Sequence, residues 1–199
     1  MEHRKTLLFD LGGVVLQNST FERLNALLPE PMQMPALKQR WLSSAAVRAF
    51  ELGRVGPGEF ADAFIAEWSP HCTALDFIKK FAAWPTGLYP GASELLARLR
   101  LRHRIACLSN SNVLHWQRFD GFRAHFDDAL SSHLLGVIKP DAACFELALR
   151  LLGVEPEAVT FFDDAEANVS AAARFGINAI HVEGFAGLVD ALAKERLLA

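Results

Sequence analysis

Asp10 closes an apolar run, TLLFD at 6–10, and Gly12 and Gly13 follow it closely. A carboxylate held at the end of a rigid strand suits nucleophilic attack, and glycines let the next turn of backbone come close to a ligand. The same acid would also serve as a turn residue or as the cap of a following helix. Ser109-Asn110-Ser111-Asn112 stands at the end of the run RIACLSN, 104–110. Hydroxyl and amide side chains beside the amides of a starting helix make an anion-friendly corner, or no more than a cap. Lys139 lies in GVIKPD, just ahead of a helical stretch. Its cation would neutralise a phosphate or keep Asp10 ionised; a solvated surface lysine is the plainer role. Asp163 and Asp164 end the run VTFFDD, 159–164. Two adjacent acids beyond a buried strand are costly unless paired or bound to a hard cation such as Mg²⁺, with capping of the next helix as the other account. Asn168, four residues past Asp164, points the same way from the first turn of that helix.

These residues need elements to hold them. TLLFD, RIACLSN, VTFFDD and NAIHV (178–182) read as strands, and DDALSS (127–132) is a weaker fifth. The near absence of polar alternation in the first, second and fourth of these is the pattern of strands covered on both faces. Between them, Phe145, Ala148, Leu149 and Leu152 recur at helical spacing from Pro140 to Gly153, and Val169, Ala172 and Ala173 share one side of 166–176. Strands alternating with helices predict an α/β fold around a parallel sheet, with ligands at the carboxyl ends of the strands. Residues 17–88 differ. They are rich in aromatics (Trp41, Phe50, Phe60, Phe64, Trp68, Phe77, Phe81), and GRVGPGE at 53–59 is a turn between helical segments. This stretch reads as a helical insert over the sheet end, with 1–16 and 89–199 as the core. Glu51 and Arg54 are polar within it, as a surface pair near a helix end or as ligand contacts.

The chain has 199 residues and a net charge of −3, enough for one core domain with an insert and without the basic excess of a nucleic-acid binder. Cys72, Cys107 and Cys144 are odd in number, form no CxxC pair and read as reduced packing residues. MEHRK leads straight into TLLF with no run of signal-peptide or membrane-span length, so a cytoplasmic protein without a membrane partner is expected. The pattern sets no oligomeric state.

FDLGGVV, LSNSN, IKPD and FFDDAEAN, in this order, resemble the four motifs of the haloacid dehalogenase superfamily of phosphatases, over essentially the whole chain. The resemblance implies a Rossmann-like parallel sheet with a small helical cap at 17–88. It implies Asp10 as a nucleophile forming an aspartyl-phosphate. Ser109 and Lys139 would act on the phosphoryl group, with Asn110 and His115 beside the substrate. Mg²⁺ would sit on Asp10, Asp164 and the Gly12 carbonyl, backed by Asp163 and Asn168. SNSN with His115, LGVIKPD, and ELGRV in the cap are similar to the bacterial α-D-glucose-1-phosphate phosphatases. The chain also resembles the N-terminal phosphatase domain of soluble epoxide hydrolase. A small phosphate ester such as a sugar phosphate is the substrate so implied. Gly12 departs from the family pattern, in which a second Asp handles the leaving-group proton. An anomeric leaving group, a substitute such as His115, or lost catalysis each accounts for that. A metal-free 2-haloacid dehalogenase and a non-catalytic phosphate-binding module are the competing functions.

Overall fold

A computed structural model describes residues 4–18, 20–118 and 121–198, so the first three residues of the MEHRK segment lie outside it. In chain order the elements begin with β1 (Thr6–Phe9), β2 (Leu16–Asn18), α1 (Thr20–Asn25), α2 (Met34–Ser43), α3 (Ala45–Glu51), α4 (Pro57–Trp68) and α5 (Ala74–Ala82). They continue with β3 (Pro85–Leu88), α6 (Ala92–Arg100), β4 (Arg104–Ser109), α7 (Val113–Arg118), β5 (Asp128–Ser131) and α8 (Ser132–Leu135). The last are α9 (Ala142–Leu152), β6 (Val159–Asp163), α10 (Glu166–Ala173), β7 (Asn178–His181) and α11 (Gly184–Lys194).

Five strands form one parallel sheet in the order β5-β4-β1-β6-β7. Side chains alternate between its faces, so Leu7 and Phe9 enter one core and Leu8 the other. On the first face Leu7, Phe9, Ile105 and Cys107 pack against Leu96 and Leu99 of α6 and Leu188 and Leu192 of α11. On the second, Leu8, Ala106, Leu108 and Phe161 pack against Phe145, Ala148 and Leu152 of α9 and Ala172 of α10. Helices on both faces are the reason the strand sequences lack polar alternation. Ala173 departs from the expected stripe: it is exposed, and α10 buries Ala172 instead. From central β1 the chain builds β4 and β5 on one side and β6 and β7 on the other. This reversal of strand order opens a crevice at the carboxyl ends.

β2 and β3 pair antiparallel as a separate ribbon, and α1–α5 lie between them. No alternation announces this ribbon in the sequence. β2 is three residues long and β3 contains Pro85 and Gly87, so the pairing comes from partners distant in the chain. Trp41, Phe50, Phe60, Phe64, Trp68, Phe77, Phe81 and Trp84 form one buried cluster of their own. Phe50 stacks on Phe60, and Phe64 on Phe77, each at 4.2 Å between ring centroids. Gly56 and Pro57 start α4, with the Glu59 carboxylate accepting from the Gly56 amide at 3.0 Å, and Thr73 caps α5 by accepting from the Asp76 amide.

The carboxyl end of α3 is fastened to the core. The Ser132 hydroxyl donates to the Glu51 carbonyl at 2.6 Å and accepts from the Ser111 amide at 3.0 Å. Arg48 pairs with Asp141. Gly53 has φ +68°, and a Cβ there would collide with the His133 carbonyl oxygen. Cys72, Cys107 and Cys144 are free thiols, the last two buried. Among the described residues no helix is long and apolar enough to cross a membrane. Phe64 is fully buried at the centre of the ring cluster. Phe64→Ala is expected to lower the unfolding free energy by about 3–5 kcal/mol, read by chemical denaturation; an unchanged midpoint would refute a packed aromatic core in this segment.

Candidate active site

Asp10 directly follows β1, and its amide donates to the Phe162 carbonyl at 2.8 Å, so the residue is still held by the sheet. Beyond it the chain folds back sharply, with the amides of Val15 and Leu16 donating to the Leu11 carbonyl at 3.0 and 2.7 Å. Gly13 takes the left-handed backbone conformation of this turn, φ +80°. A Cβ on it would lie 2.7 Å from Oδ2 of Asp164, so a glycine here lets that carboxylate approach the turn.

Lys139 is buried beneath the strand ends. Its Nζ donates to Asp10 Oδ1 at 2.7 Å and to Asp163 Oδ2 at 2.6 Å. Asp163 is also fully buried; it accepts from the Ala165 amide at 2.8 Å and from Asn168 Nδ2 at 3.0 and 3.1 Å. Burial works to strip Lys139 of its proton, but the charges on Asp10 and Asp163 outweigh it and raise its pKa. Asn110 holds the lysine's loop: its Oδ1 accepts from the Lys139 amide at 3.0 Å and its Nδ2 donates to the Lys139 carbonyl at 2.9 Å. The carboxamide expected beside substrate is therefore bonded to main chain on both sides.

Asp10, Asp163 and Asp164 present carboxylate oxygens that all lie within 4.8 Å of one another. Burial, with the charges of Asp163 and Asp164, pushes Asp10 up to about 7 in spite of Lys139. Burial and Asp163 raise Asp164 as well. Three acids against one lysine leave an excess of hard, anionic oxygens, the donor set that a magnesium-like cation takes. Asp163 is engaged by its own hydrogen bonds, so Asp10 and Asp164 are the members facing outward.

Above them lies a cavity of about 460 Å³, within the usual range for small-molecule sites. Asp10, Gly12, Ser109, Asn110, Lys139, Asp164 and Asn168 line its floor, and His115 lines it beside them. His115 is tied to the insert. Its Nε2 donates to the Phe81 carbonyl at 2.8 Å, since a carbonyl only accepts, and its Nδ1 is then left to accept from Asn112 Nδ2 at 3.2 Å. Its ring stacks on Phe81 at 4.3 Å. Burial lowers its pKa to about 4, against the raising effect of the Phe81 carbonyl.

The insert supplies wall residues that the sequence did not assign to the site: Gln17, Phe21, Lys38 and Trp41, the last of them read there only as one of the segment's aromatics. It also brings Glu51 into the cavity, whereas Arg54 is exposed and makes no ion pair with it among the described residues. Burial and the charge of Asp10 push Glu51 up to about 7, partly offset by Lys139 and Arg48. One sequence signal for Glu51 existed. An acid at the last residue of a helix opposes the helix dipole, which marks it as held there for another reason.

The model of the haloacid dehalogenase-like hydrolase family matches residues 4–176. The chain belongs to that family. A phosphoserine phosphatase from Thermus thermophilus is 35% identical over 101 residues, 48% of this chain and 41% of that protein. (S)-2-haloacid dehalogenase 4A from Burkholderia cepacia is 31% identical over 101 residues, 47% of this chain and 42% of that protein. The chain spans less than half the length of these curated relatives. A haloacid dehalogenase family enzyme from Bacteroides thetaiotaomicron, solved in complex with magnesium and inorganic phosphate, shares the fold. Its TM-score is 0.72 over 91% of this chain and 95% of that one, at 21% identity.

In this family member the neutral His115 makes stability depend on pH with a definite sign. Its pKa falls from 6.5 in the unfolded chain to about 4 in the fold, so the unfolded state binds more protons between those values. Stability is then lost as pH drops from about 6.5 towards 4. His115→Phe is expected to flatten that decline in denaturation midpoints; an unaltered pH slope would show that the imidazole is not held neutral.

Proposed function

We propose that the protein is a Mg²⁺-dependent phosphatase acting on a small phosphate ester, with a sugar phosphate as the favoured class. The observation that carries this reading is the fixing of Asp10 by Lys139 at one oxygen, at the floor of a cavity, with Asp164 beside it. Lys139 occupies Oδ1 and leaves Oδ2 to attack phosphorus. The bond from phosphorus to the leaving oxygen breaks, an aspartyl-phosphate forms on Asp10, and water hydrolyses it. Asp10 and Asp164 would hold the metal with the Gly12 carbonyl, and Asp163 with Asn168 would orient them. Bound there, Mg²⁺ supplies positive charge against the phosphoryl oxygens. Ser109 and Lys139 add a hydroxyl donor and a fixed cation to the same face.

The excess of acid disfavours a metal-free haloacid dehalogenase. A carboxylate substrate would enter against three carboxylates balanced by one lysine, and nothing on the floor would offset that repulsion. Phe21 and Trp41 give the cavity an apolar wall, while Gln17 and Lys38 offer polar contacts, a mixture suited to a sugar ring.

Phosphate release from α-glucose 1-phosphate, with and without Mg²⁺, tests the reading. Turnover is expected to require the metal and to fall at least about 1,000-fold in Asp10→Asn. Chloride release from 2-haloacids without metal would instead favour dehalogenation, and no turnover on a broad ester panel would favour a binding module.

A further inference from the structure

Gly12 has no side chain to move a proton, and the rest of the cavity offers few replacements. His115 has both ring nitrogens engaged by Phe81 and Asn112. Lys139 is wholly buried between its two acids. Asp164 belongs to the acid cluster on the floor. Lys38 and Glu166 are exposed. Glu51 remains. It lines the cavity with Asp10, close enough for the charge of Asp10 to act on its carboxyl, and no protein hydrogen bond or ion pair engages that carboxyl among the described residues. It lies outside the Asp10, Asp163 and Asp164 group, whose oxygens gather within 4.8 Å of one another. The backbone that carries it is pinned: Ser132 bonds its carbonyl, Arg48 pairs with Asp141, and Gly53 packs on His133. A carboxyl carried on pinned backbone, with no hydrogen bond or ion pair among the described residues and in the same cavity as the nucleophile, has the placement of a proton donor.

We infer that Glu51 is the general acid and base of this site, taking the role that a side chain at position 12 would otherwise have. The assignment rests on the phosphatase reading above. In the first half-reaction the Glu51 carboxyl gives its proton to the leaving oxygen as the phosphorus–oxygen bond breaks and the Asp10–phosphorus bond forms. An alcohol departs. In the second, the Glu51 carboxylate takes a proton from the water that attacks the aspartyl-phosphate; the Asp10–phosphorus bond breaks, inorganic phosphate leaves, and Glu51 is again protonated. Its surroundings favour this: burial, the nearby charge of Asp10 and the carboxyl end of α3 all strengthen its hold on a proton, against Lys139 and Arg48.

The test compares leaving groups in Glu51→Gln, which keeps the shape and loses the acid. A sugar or alkyl phosphate needs a proton at its leaving oxygen; para-nitrophenyl phosphate does not. With the first, kcat is expected to fall about 100- to 10,000-fold. With the second, one equivalent of nitrophenolate is expected in a rapid burst, followed by slow phosphate release as the phosphoenzyme waits for a base. The burst amplitude counts folded, competent sites, so misfolding is not mistaken for lost chemistry. Glu51→Asp, which restores a carboxyl, is expected to recover part of the rate. The assignment is overturned if Glu51→Gln hydrolyses the alkyl ester within a few-fold of the parent, or loses both substrates equally without a burst. If the parent releases no phosphate from either ester, the phosphatase reading falls and takes the assignment with it.

Discussion

One buried ammonium organises this molecule. Lys139 has a fully covered side chain and bonds carboxylates from the ends of two neighbouring strands, Asp10 after β1 and Asp163 of β6. An isolated charge in that position would be expelled or neutralised. It persists because two acids face it, because Asp163 has further donors in Ala165 and Asn168, and because Asn110 clamps the lysine's own main chain. Such a buried network gives weak net stability, since desolvation offsets most of the attraction. Its consequence is positional. Asp10 is held at one oxygen by Lys139 while the residue lines the cavity.

Residues 17–88 hold an aromatic cluster of their own, and specific contacts tie this segment to the sheet end. The β2–β3 ribbon carries the chain out and back, His115 bonds the Phe81 carbonyl from the core side, and α3 is fastened at Ser132 and Asp141. The result is a cavity whose floor is acidic and rigid and whose walls are apolar with scattered polar groups. Among the described residues, Glu51 is the acid of the 17–88 segment that lines this cavity.

Much of this was legible in the sequence. The five strands of the sheet lie within runs marked by apolar residues ending on polar ones, because a strand covered on both faces must be apolar until it reaches the open edge. Asp10, Ser109, Asp163 and Asp164 stand at those edges for the same reason. The ribbon was not legible, since strands of three and four residues with Pro85 and Gly87 carry no period. Nor was the division of labour among polar residues. Asn110 and Ser109 are neighbours of similar character and both line the cavity, yet the carboxamide of Asn110 is bonded to the main chain of Lys139. Glu51 and Arg54 read as a surface pair or as ligand contacts, and the seating of α3 on Ser132 separates them: Glu51 lines the cavity and Arg54 is exposed.

By itself the sequence determined the layered α/β architecture, the order of the motifs and the family, because periodicity and burial are written locally. Which acid is saturated and which faces outward, the neutral state of His115, and the arrival of Glu51 in the cavity were decided by the tertiary structure. Each depends on partners brought from distant parts of the chain, and a hydrogen bond or a shifted pKa exists only where folding has placed donor, acceptor and solvent exclusion together.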